Sequence, residues 1–229
     1  MLEKILEVER GLFFRINSLH TPFMDGVMWL YSEVYTWMPF LLFFCLMLIY
    51  KKSWREWLPI LVSIIVIGSL CMAFSSYLTK PLFARPRPVF HPSFMDDVRT
   101  IYDSVAEPYG FVSGHSATAF GLATFTALLF RNTFYTCAIF LWAFLMAYSR
   151  IYLGVHFISD IVAGALSGIA FGYLVFRLYQ SYVKRNFSPS EAPPTTAYSP
   201  LHGKIIGLTL IGYILFFAAT SSIWVKFFF

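Results

Sequence analysis

Long apolar runs alternate with short polar connections along this chain, and their lengths predict its architecture. A helix crosses the hydrocarbon core of a bilayer with about 17–25 predominantly apolar residues. Six runs meet this requirement, at about residues 26–50, 57–79, 114–131, 133–150, 158–179 and 204–225. We therefore predict an all-α integral membrane protein in which residues 1–229 form a single membrane domain with six transmembrane helices.

Three segments outside these runs differ in character. Residues 1–20 repeat apolar positions at helical spacing beside charged residues, which predicts an amphipathic helix in the plane of the membrane interface. A helix that caps the bundle is an equally good interpretation. Residues 80–113 contain five prolines and several acids and are too polar to cross the membrane. Residues 184–203 are rich in Pro, Ser and Thr, which is typical of a mobile linker.

The composition excludes several classes of protein. Hydrophobic residues make up 58% of the chain and charged residues 13%, which is about half the charged share of a soluble domain. Because so little charge cannot cover a water-exposed surface, a soluble enzyme, a disordered chain and a nucleic-acid-binding protein are all poor interpretations. The lipid bilayer is the predicted partner, and no nucleic acid is expected. The three cysteines lie in apolar runs, which disfavours a disulfide framework.

Basic residues predict how the chain is oriented. With alternating spans, most of those near the connections fall on one side of the membrane: Lys51, Lys52, Arg55, Arg131, Arg177, Lys184, Arg185 and Lys204. The positive-inside rule assigns that side to the cytoplasm, which makes residues 184–203 a cytoplasmic linker and residues 80–113 an outer catalytic loop. The outer face still carries several basic residues: Lys80, Arg85, Arg87, Arg99 and Arg150. The positive-inside rule does not account for basic residues on the outer face, so these five require a separate explanation.

One candidate for chemistry is a pair of residues at the start of the fifth predicted span. His156 and Asp160 are four residues apart, so on a helix they share one face. The carboxylate can accept the proton of one ring nitrogen and leave the other nitrogen free as a base or a nucleophile. The alternative is a structural hydrogen bond at the helix start, where an aspartate also favours the helix dipole.

A second candidate is the tripeptide Ser113-Gly114-His115 at the start of the third predicted span. Backbone N–H groups at a helix N-terminus, beside a glycine that permits close approach, form an anion site. The alternative is that Ser113 only caps the helix. Small residues continue along both helices, which predicts close helix contact: Gly114, Ala117, Gly121 and Thr124 in one, and Gly164, Gly168 and Gly172 in the other.

Three cations complete the candidate site. Lys80, Arg87 and Arg150 lie where the spans meet the outer water layer, and arginine binds phosphate oxygens in bidentate fashion. The alternative for each is that its side chain reaches toward lipid headgroups. Two histidines, one acid, three cations and a helix N-terminus together predict a phosphoryl-transfer site. Since no carboxylate cluster is available to hold a metal, we expect no metal or other cofactor and assign the electrostatic role to the cations.

These clusters resemble the three-part signature of the type 2 phosphatidic acid phosphatase family, Lys-x6-Arg-Pro, Ser-Gly-His and Ser-Arg-x5-His-x3-Asp. The matching residues are Lys80 with Arg87-Pro88, Ser113-Gly114-His115, and Ser149-Arg150 with His156 and Asp160. Arg85-Pro86 is a second Arg-Pro pair, but the family spacing selects Arg87. Val112 stands where the family commonly has proline. The predicted spans correspond to the membrane branch of the family and exclude its soluble haloperoxidases.

The resemblance implies a role for each residue. His156 would attack phosphorus and form a phosphohistidine, with Asp160 holding the ring. His115 would protonate the leaving group and then assist the attacking water. No metal would be required, because the phosphate oxygens would be bound by Lys80, Arg87, Ser113, Gly114 and Arg150.

We therefore expect a lipid phosphatase in a bacterial inner membrane, with its active site on the extracytoplasmic face. Its substrate would be a phosphomonoester or pyrophosphate of a membrane lipid, such as undecaprenyl pyrophosphate, phosphatidylglycerophosphate, phosphatidic acid or a lipid A phosphate. One alternative is a phosphotransferase that passes the phosphoryl group to another lipid. A second is a non-catalytic carrier of anions or lipids, which would have no need for His115 or for the His156–Asp160 pair.

Overall fold

A computed structural model describes residues 2–102, 107–187, 198 and 200–228, and it confirms the predicted all-α class. The described residues form nine α-helices: α1 Leu2–Asn17, α2 Pro22–Ser32, α3 Met38–Ile49, α4 Trp54–Met72, α5 Lys80–Phe83, α6 Gly114–Phe130, α7 Thr133–Tyr152, α8 Ile158–Asn186 and α9 Pro200–Phe228. Short 3₁₀ turns lie at Val34–Trp37 and Pro88–Phe90, and a π-helical segment joins α4 to α5 at Ala73–Thr79. No strand occurs in this described part of the chain.

Four continuous helices in the described residues are long and apolar enough to cross a membrane: Trp54–Phe83, Thr133–Tyr152, Ile158–Asn186 and Pro200–Phe227. A fifth candidate is the pair Pro22–Ser32 and Val34–Ile49, which together pass the same test but are bent by 74° at their junction. The remaining predicted span corresponds to α6, which has 17 residues. At 1.5 Å per residue it is about 26 Å long, shorter than the hydrocarbon core of about 30 Å.

The bend in the first span corrects the prediction of one straight helix over residues 26–50. Glu33 takes an extended conformation, with φ −79° and ψ 130°, and its backbone N–H donates to Leu30 at the end of α2. Its carboxylate lies close enough to Arg150 of α7 for the two charges to attract each other. Apolar counting could not detect this break, because a single acid barely lowers the mean hydropathy of a long run.

Small residues bring α6 and α8 into backbone contact, as the glycine pattern predicted. A Cβ atom added at Gly164 of α8 would lie 2.6 Å from the carbonyl oxygen of Ser113, well inside van der Waals distance. The same atom added at Gly168 would overlap the backbone of Ala117, and at Gly172 it would overlap that of Gly121. The contact therefore fixes the start of α8 against the start of α6.

We expect the Gly168→Ala substitution to destabilise the folded protein by about 1–3 kcal/mol, the usual cost of overpacking a close contact. The added methyl group would meet three backbone atoms of Ala117, which cannot move without displacing α6. Thermal unfolding in detergent micelles measures the effect. Gly68→Ala in α4 is the matched control, because no atom lies within 4 Å of its added Cβ. Equal melting temperatures for the two variants would contradict the packing argument.

The N-terminal helix α1 packs on the bundle, so the geometry supports its interpretation as a cap. Leu6 and Phe13 are buried in a cluster that includes Phe94 and Phe157. Glu9, on the same face, is also buried. The opposite face leaves apolar side chains exposed, among them Val8 and Leu12.

The two predicted connections are described only in part. Residues 103–106 of the 80–113 loop, and residues 188–197 and 199 of the 184–203 linker, lie outside the described residues. Within the linker, Tyr198 is buried and its hydroxyl donates to the carbonyl of Leu48 at 2.8 Å. The α8 helix continues through Asn186, seven residues beyond its predicted end at 179.

Candidate active site

The three predicted motifs meet at one end of the helix bundle. Lys80 begins α5, His115 lies in the first turn of α6, and Arg150 lies in the last turn of α7. His156 occupies the turn between α7 and α8. A cavity of about 610 Å³ opens between these elements, and six predicted site residues line it: Lys80, Arg87, Gly114, His115, Arg150 and His156.

The other two predicted residues, Ser113 and Asp160, are fully buried behind the cavity wall. The Ser113 hydroxyl accepts the backbone N–H of Ser116 at 3.4 Å, and the Ser113 N–H donates to the carbonyl of Asp160 at 3.1 Å. Ser113 therefore caps α6, and its backbone N–H bonds to α8, whereas its role in phosphate binding stays a prediction. Asp160, four residues after His156, contacts the histidine ring as the spacing predicted.

The hydrogen bonds of His156 identify which of its two ring nitrogens is the acceptor. Its Nε2 lies 3.0 Å from Nη1 of Arg87, and its Nδ1 lies 3.3 Å from Oδ2 of Asp160. Because a guanidinium only donates hydrogen bonds, Nε2 must accept and the ring proton must be on Nδ1. This tautomer gives Nε2 the lone pair that a nucleophile needs, and it gives Asp160 an N–H to accept.

The surroundings keep His156 neutral. Burial lowers the pKa of its imidazole well below the ordinary value, and the charges of Arg87, Arg150 and Lys80 lower the pKa further. A protonated ring could not attack phosphorus, since both of its nitrogens would carry hydrogen. At neutral pH the imidazole is therefore in the form that the predicted nucleophile requires.

Backbone oxygens orient the Arg87 guanidinium. Its Nε donates to the carbonyl of Glu107 at 2.6 Å, and its Nη1 also donates to the carbonyl of Val155 at 2.9 Å. Gly110 allows this approach: a Cβ atom there would lie 3.0 Å from Oδ2 of Asp160 and 3.1 Å from Cγ of Arg87. A glycine in the outer loop is thus required by packing, although no sequence motif singled it out.

The remaining two cations are each held by a residue that the sequence motifs did not include. Lys80 pairs with Glu107 at 3.0 Å, and Nη1 of Arg150 donates to the hydroxyl of Ser32 at the end of α2. The cavity wall also contains Ser75 and Ser76 from the π-helical segment. These neighbours are distant in sequence from the motifs, so only the folded chain identifies them.

Removing the carboxylate of Glu107 should strengthen phosphate binding. A hydrogen bond from Lys80 lowers the pKa of Glu107, so the side chain is ionised at neutral pH and competes with a phosphate for Lys80. Because Glu107 is exposed, the ion pair contributes at most about 1 kcal/mol, and Glu107→Gln should lower KM by up to about fivefold. Steady-state kinetics measure the change, with exposed Asp96→Asn as the charge-matched control. A KM that rises in Glu107→Gln would show that the carboxylate helps to bind substrate.

The structure also assigns contacts to Arg85, which the family spacing had set aside. Arg85 is buried on the far side of Asp160, and its Nη1 donates to Oδ1 of that carboxylate at 2.7 Å. The two arginines of the repeated Arg-Pro pair therefore lie on opposite sides of the Asp160–His156 pair. Arg87 faces the cavity and Arg85 faces the protein interior.

Several known proteins are similar to this chain in sequence or in fold. The chain is 40% identical to the lipid A 4'-phosphatase of Porphyromonas gingivalis over 215 residues, covering 93% of this chain and 91% of the relative. It is 30% identical to the lipid A 4'-phosphatase of Bacteroides thetaiotaomicron, covering 84% of this chain and 86% of the relative. The crystal structure of Aquifex aeolicus LpxE is similar to it with a TM-score of 0.56 and 28% identity, covering 74% of this chain and 95% of that one.

The family profile described as the PAP2 superfamily matches residues 57–184, which include every predicted site residue. The matched segment runs from α4 to α8 and contains the elements that carry the three motifs, whereas Ser32, Val34 and Trp37 of the cavity wall lie before it. The resemblance found in the three sequence motifs is therefore confirmed, and the chain belongs to the PAP2 superfamily.

Proposed function

We propose that this protein hydrolyses the phosphate ester or pyrophosphate of a membrane lipid, and that the 4'-phosphate of lipid A is its first candidate substrate. Two relatives at 40% and 30% identity, each covered over most of its length, are named for that activity. One observation on this chain carries the lipid assignment: the cavity that contains His115 and His156 adjoins a purely apolar one.

The second cavity is suited to an acyl chain. Its volume is about 180 Å³, and it extends between α3, α6 and α7 toward residues such as Phe44, Leu122 and Ile139. Val34, Trp37 and Trp142 line both cavities. A substrate with its phosphate beside the cations can therefore place a hydrocarbon chain in the adjoining space, which a soluble sugar phosphate or nucleotide cannot use.

Trp142 offers a polar contact at the junction of the two cavities. Among the described residues, its buried indole N–H has no hydrogen-bond partner. Buried N–H groups are normally paired, and leaving one unpaired costs about 1–3 kcal/mol. An ester, amide or hydroxyl oxygen near the head of the acyl chain would satisfy it.

The proposed reaction has two steps. In the first, Nε2 of His156 attacks phosphorus, the bond between phosphorus and the lipid oxygen breaks, and His115 gives a proton to the departing oxygen. In the second, water attacks the phosphohistidine while His115 takes its proton, and inorganic phosphate leaves. Nη1 of Arg87 lies 3.0 Å from Nε2 of His156. When substrate binds, the N–H of Arg87 would turn toward the phosphate oxygens.

Lys80, Arg87 and Arg150 supply the positive charge that stabilises the oxygens in both transition states. Asp160 stabilises the positive charge that builds on the imidazole ring, because its Oδ2 lies 3.3 Å from Nδ1. The described residues contain no group of three or more His, Cys, Asp or Glu side chains arranged around a possible metal. We therefore assign the electrostatic work to these side chains and expect phosphate release to survive chelators.

We place the site at the outer face of a bacterial inner membrane. We also count α6, the third predicted span along the chain, as a transmembrane segment, which completes the six. The helix ends opposite the cavity carry the basic residues that mark a cytoplasmic side, including Lys51, Arg131 and Lys184. The short α6 packs against α4, α7 and α8, and its His115 end lines the cavity.

The assignment can be tested by phosphate release from a lipid panel. Purified protein should release phosphate from lipid A 4'-phosphate, with or without a chelator, faster than from undecaprenyl pyrophosphate, phosphatidylglycerophosphate or phosphatidic acid. Ile139→Trp, which fills the apolar cavity, should raise KM for long-chain substrates and leave a short-chain analogue unaffected. Label transferred to a second lipid would support a phosphotransferase, and lipid movement across vesicles without release would support a carrier.

A further inference from the structure

Behind the His156–Asp160 pair lies a second row of buried charges that reaches the N-terminal helix. We infer that Arg85 and Glu9 are positioning residues: they fix the Asp160 carboxylate and thereby set the orientation and basicity of His156. This inference rests on the proposed function, since it concerns the same reaction. Neither residue belongs to the three sequence motifs.

The hydrogen bonds of Asp160 divide its carboxylate between two tasks. Oδ2 accepts the backbone N–H of Phe157 at 3.0 Å and faces Nδ1 of His156 at 3.3 Å. Oδ1 accepts Nη1 of Arg85 at 2.7 Å. The Arg85 contact is the shorter one, so the carboxylate cannot rotate away from the histidine without breaking its strongest bond.

Arg85 is itself held on several sides. Its side chain is 2% exposed, and its Nη2 donates to Oε1 of Glu9 at 2.9 Å. Its Nη1 also donates to the hydroxyl of Ser159 at 2.7 Å, and its guanidinium carbon lies 4.6 Å from the ring centre of Phe157. A planar guanidinium can bridge two carboxylates in this way, whereas a lysine ammonium can make no such fork.

Glu9 reaches this site from 151 residues earlier in the chain than Asp160. Its carboxylate accepts the backbone N–H of Ser159 at 2.6 Å and the Ser159 hydroxyl at 2.7 Å, both at the start of α8. Buried Leu6 and Phe13, one turn on either side, hold α1 in this position. A buried carboxylate is tolerated only when it is paired and hydrogen-bonded, and these three donors tie Glu9 to Arg85 and to the start of α8.

The charge balance explains why both residues are needed. Glu9, Arg85 and Asp160 together carry one net negative charge in a buried space. Without Glu9, the full charge of Arg85 would act on Asp160 alone and weaken its pull on the Nδ1 proton of His156. Without Arg85, two carboxylates would face each other unpaired in the interior.

Kinetics of Glu9→Gln provide the test. The substitution keeps the size of the side chain but removes its charge and replaces one acceptor oxygen with an NH₂ donor. Loss of an outer partner of a metal-binding histidine typically costs about 10–100-fold, and we expect an effect at the lower end of that range here. We expect kcat to fall about tenfold, with KM and the inhibition constant of inorganic phosphate unchanged, because the cavity cations stay in place. Glu9→Asp, which retains the charge, should recover part of the loss. Arg85→Lys should lower kcat at least as far as Glu9→Gln does.

A rapid-quench measurement separates positioning from folding. Loss of folded enzyme would reduce the amplitude of the phosphohistidine burst, whereas a misplaced Asp160 would slow the burst at full amplitude. Glu7→Gln is the matched control, because Glu7 lies on the exposed face of the same helix. A wild-type burst rate in Glu9→Gln, or a loss confined to amplitude, overturns the inference. Absence of phosphate release by the wild-type protein would instead overturn the proposed function.

Discussion

Replacing His156 with alanine should lower kcat by about 10⁴-fold or more, the scale on which removal of a nucleophile acts. The substitution removes Nε2, the ring nitrogen that carries the lone pair and lies 3.0 Å from Nη1 of Arg87. His115, the other histidine in the cavity, would still be present to donate a proton but would have no phosphohistidine to cleave.

Two measurements check this prediction. After rapid quench, the wild type should carry an acid-labile phosphate label and His156→Ala should carry none. Inorganic phosphate should still bind to the variant through Lys80, Arg87 and Arg150 and compete with the lipid substrate. His202→Ala is the control, since His202 lies on α9 outside the cavity lining. Full activity in His156→Ala would exclude it as the nucleophile.

His115→Ala should lower kcat by about 10²–10⁴-fold on a lipid phosphate, the usual contribution of general acid catalysis. The lipid oxygen is a poor leaving group and needs a proton as its bond to phosphorus breaks. With p-nitrophenyl phosphate the leaving oxygen is stable as an anion, so formation of the phosphohistidine should be nearly normal in the variant. The position of His115 in the cavity wall, in the first turn of α6, makes it the candidate donor.

The difference between the two substrates is the decisive readout. If His115→Ala slows the burst of p-nitrophenol as much as that of the lipid alcohol, His115 acts by binding phosphate and not by donating a proton. If only the second, hydrolytic step slows with p-nitrophenyl phosphate, His115 also assists the attacking water. Measuring burst and steady-state rates together distinguishes these outcomes.

Much of this site could be predicted from short-range patterns. The spacing of His156 and Asp160 predicted their contact, and the structure brings them together at the start of α8, although His156 lies in the turn before that helix. The glycines of α8 likewise predicted a close helix contact, which the structure places against α6. Both features depend on residues that are close together in the sequence.

Other features depended on contacts that no local pattern encodes. Burial of Leu6 and Phe13 in the cluster around Phe157 shows that α1 packs on the bundle, a contact that the pattern of residues 1–20 left open. Arg85 and Arg87 have identical side chains and lie two residues apart. They differ in their contacts, because Arg85 donates to Asp160 and Arg87 donates to His156. At the bend, Glu33 lies near Arg150 of α7, which is far along the chain.

The sequence by itself determined the membrane class and the helical fold, and it predicted six residues that line the cavity, because apolar run length and motif spacing can be read along the chain. The tertiary structure alone decided that the first span is broken and that Glu9 and Arg85 lie behind Asp160. These outcomes rest on pairing buried charges and donors. Which partners are available inside a bundle depends on how distant segments pack, so that information appears only when the chain is folded.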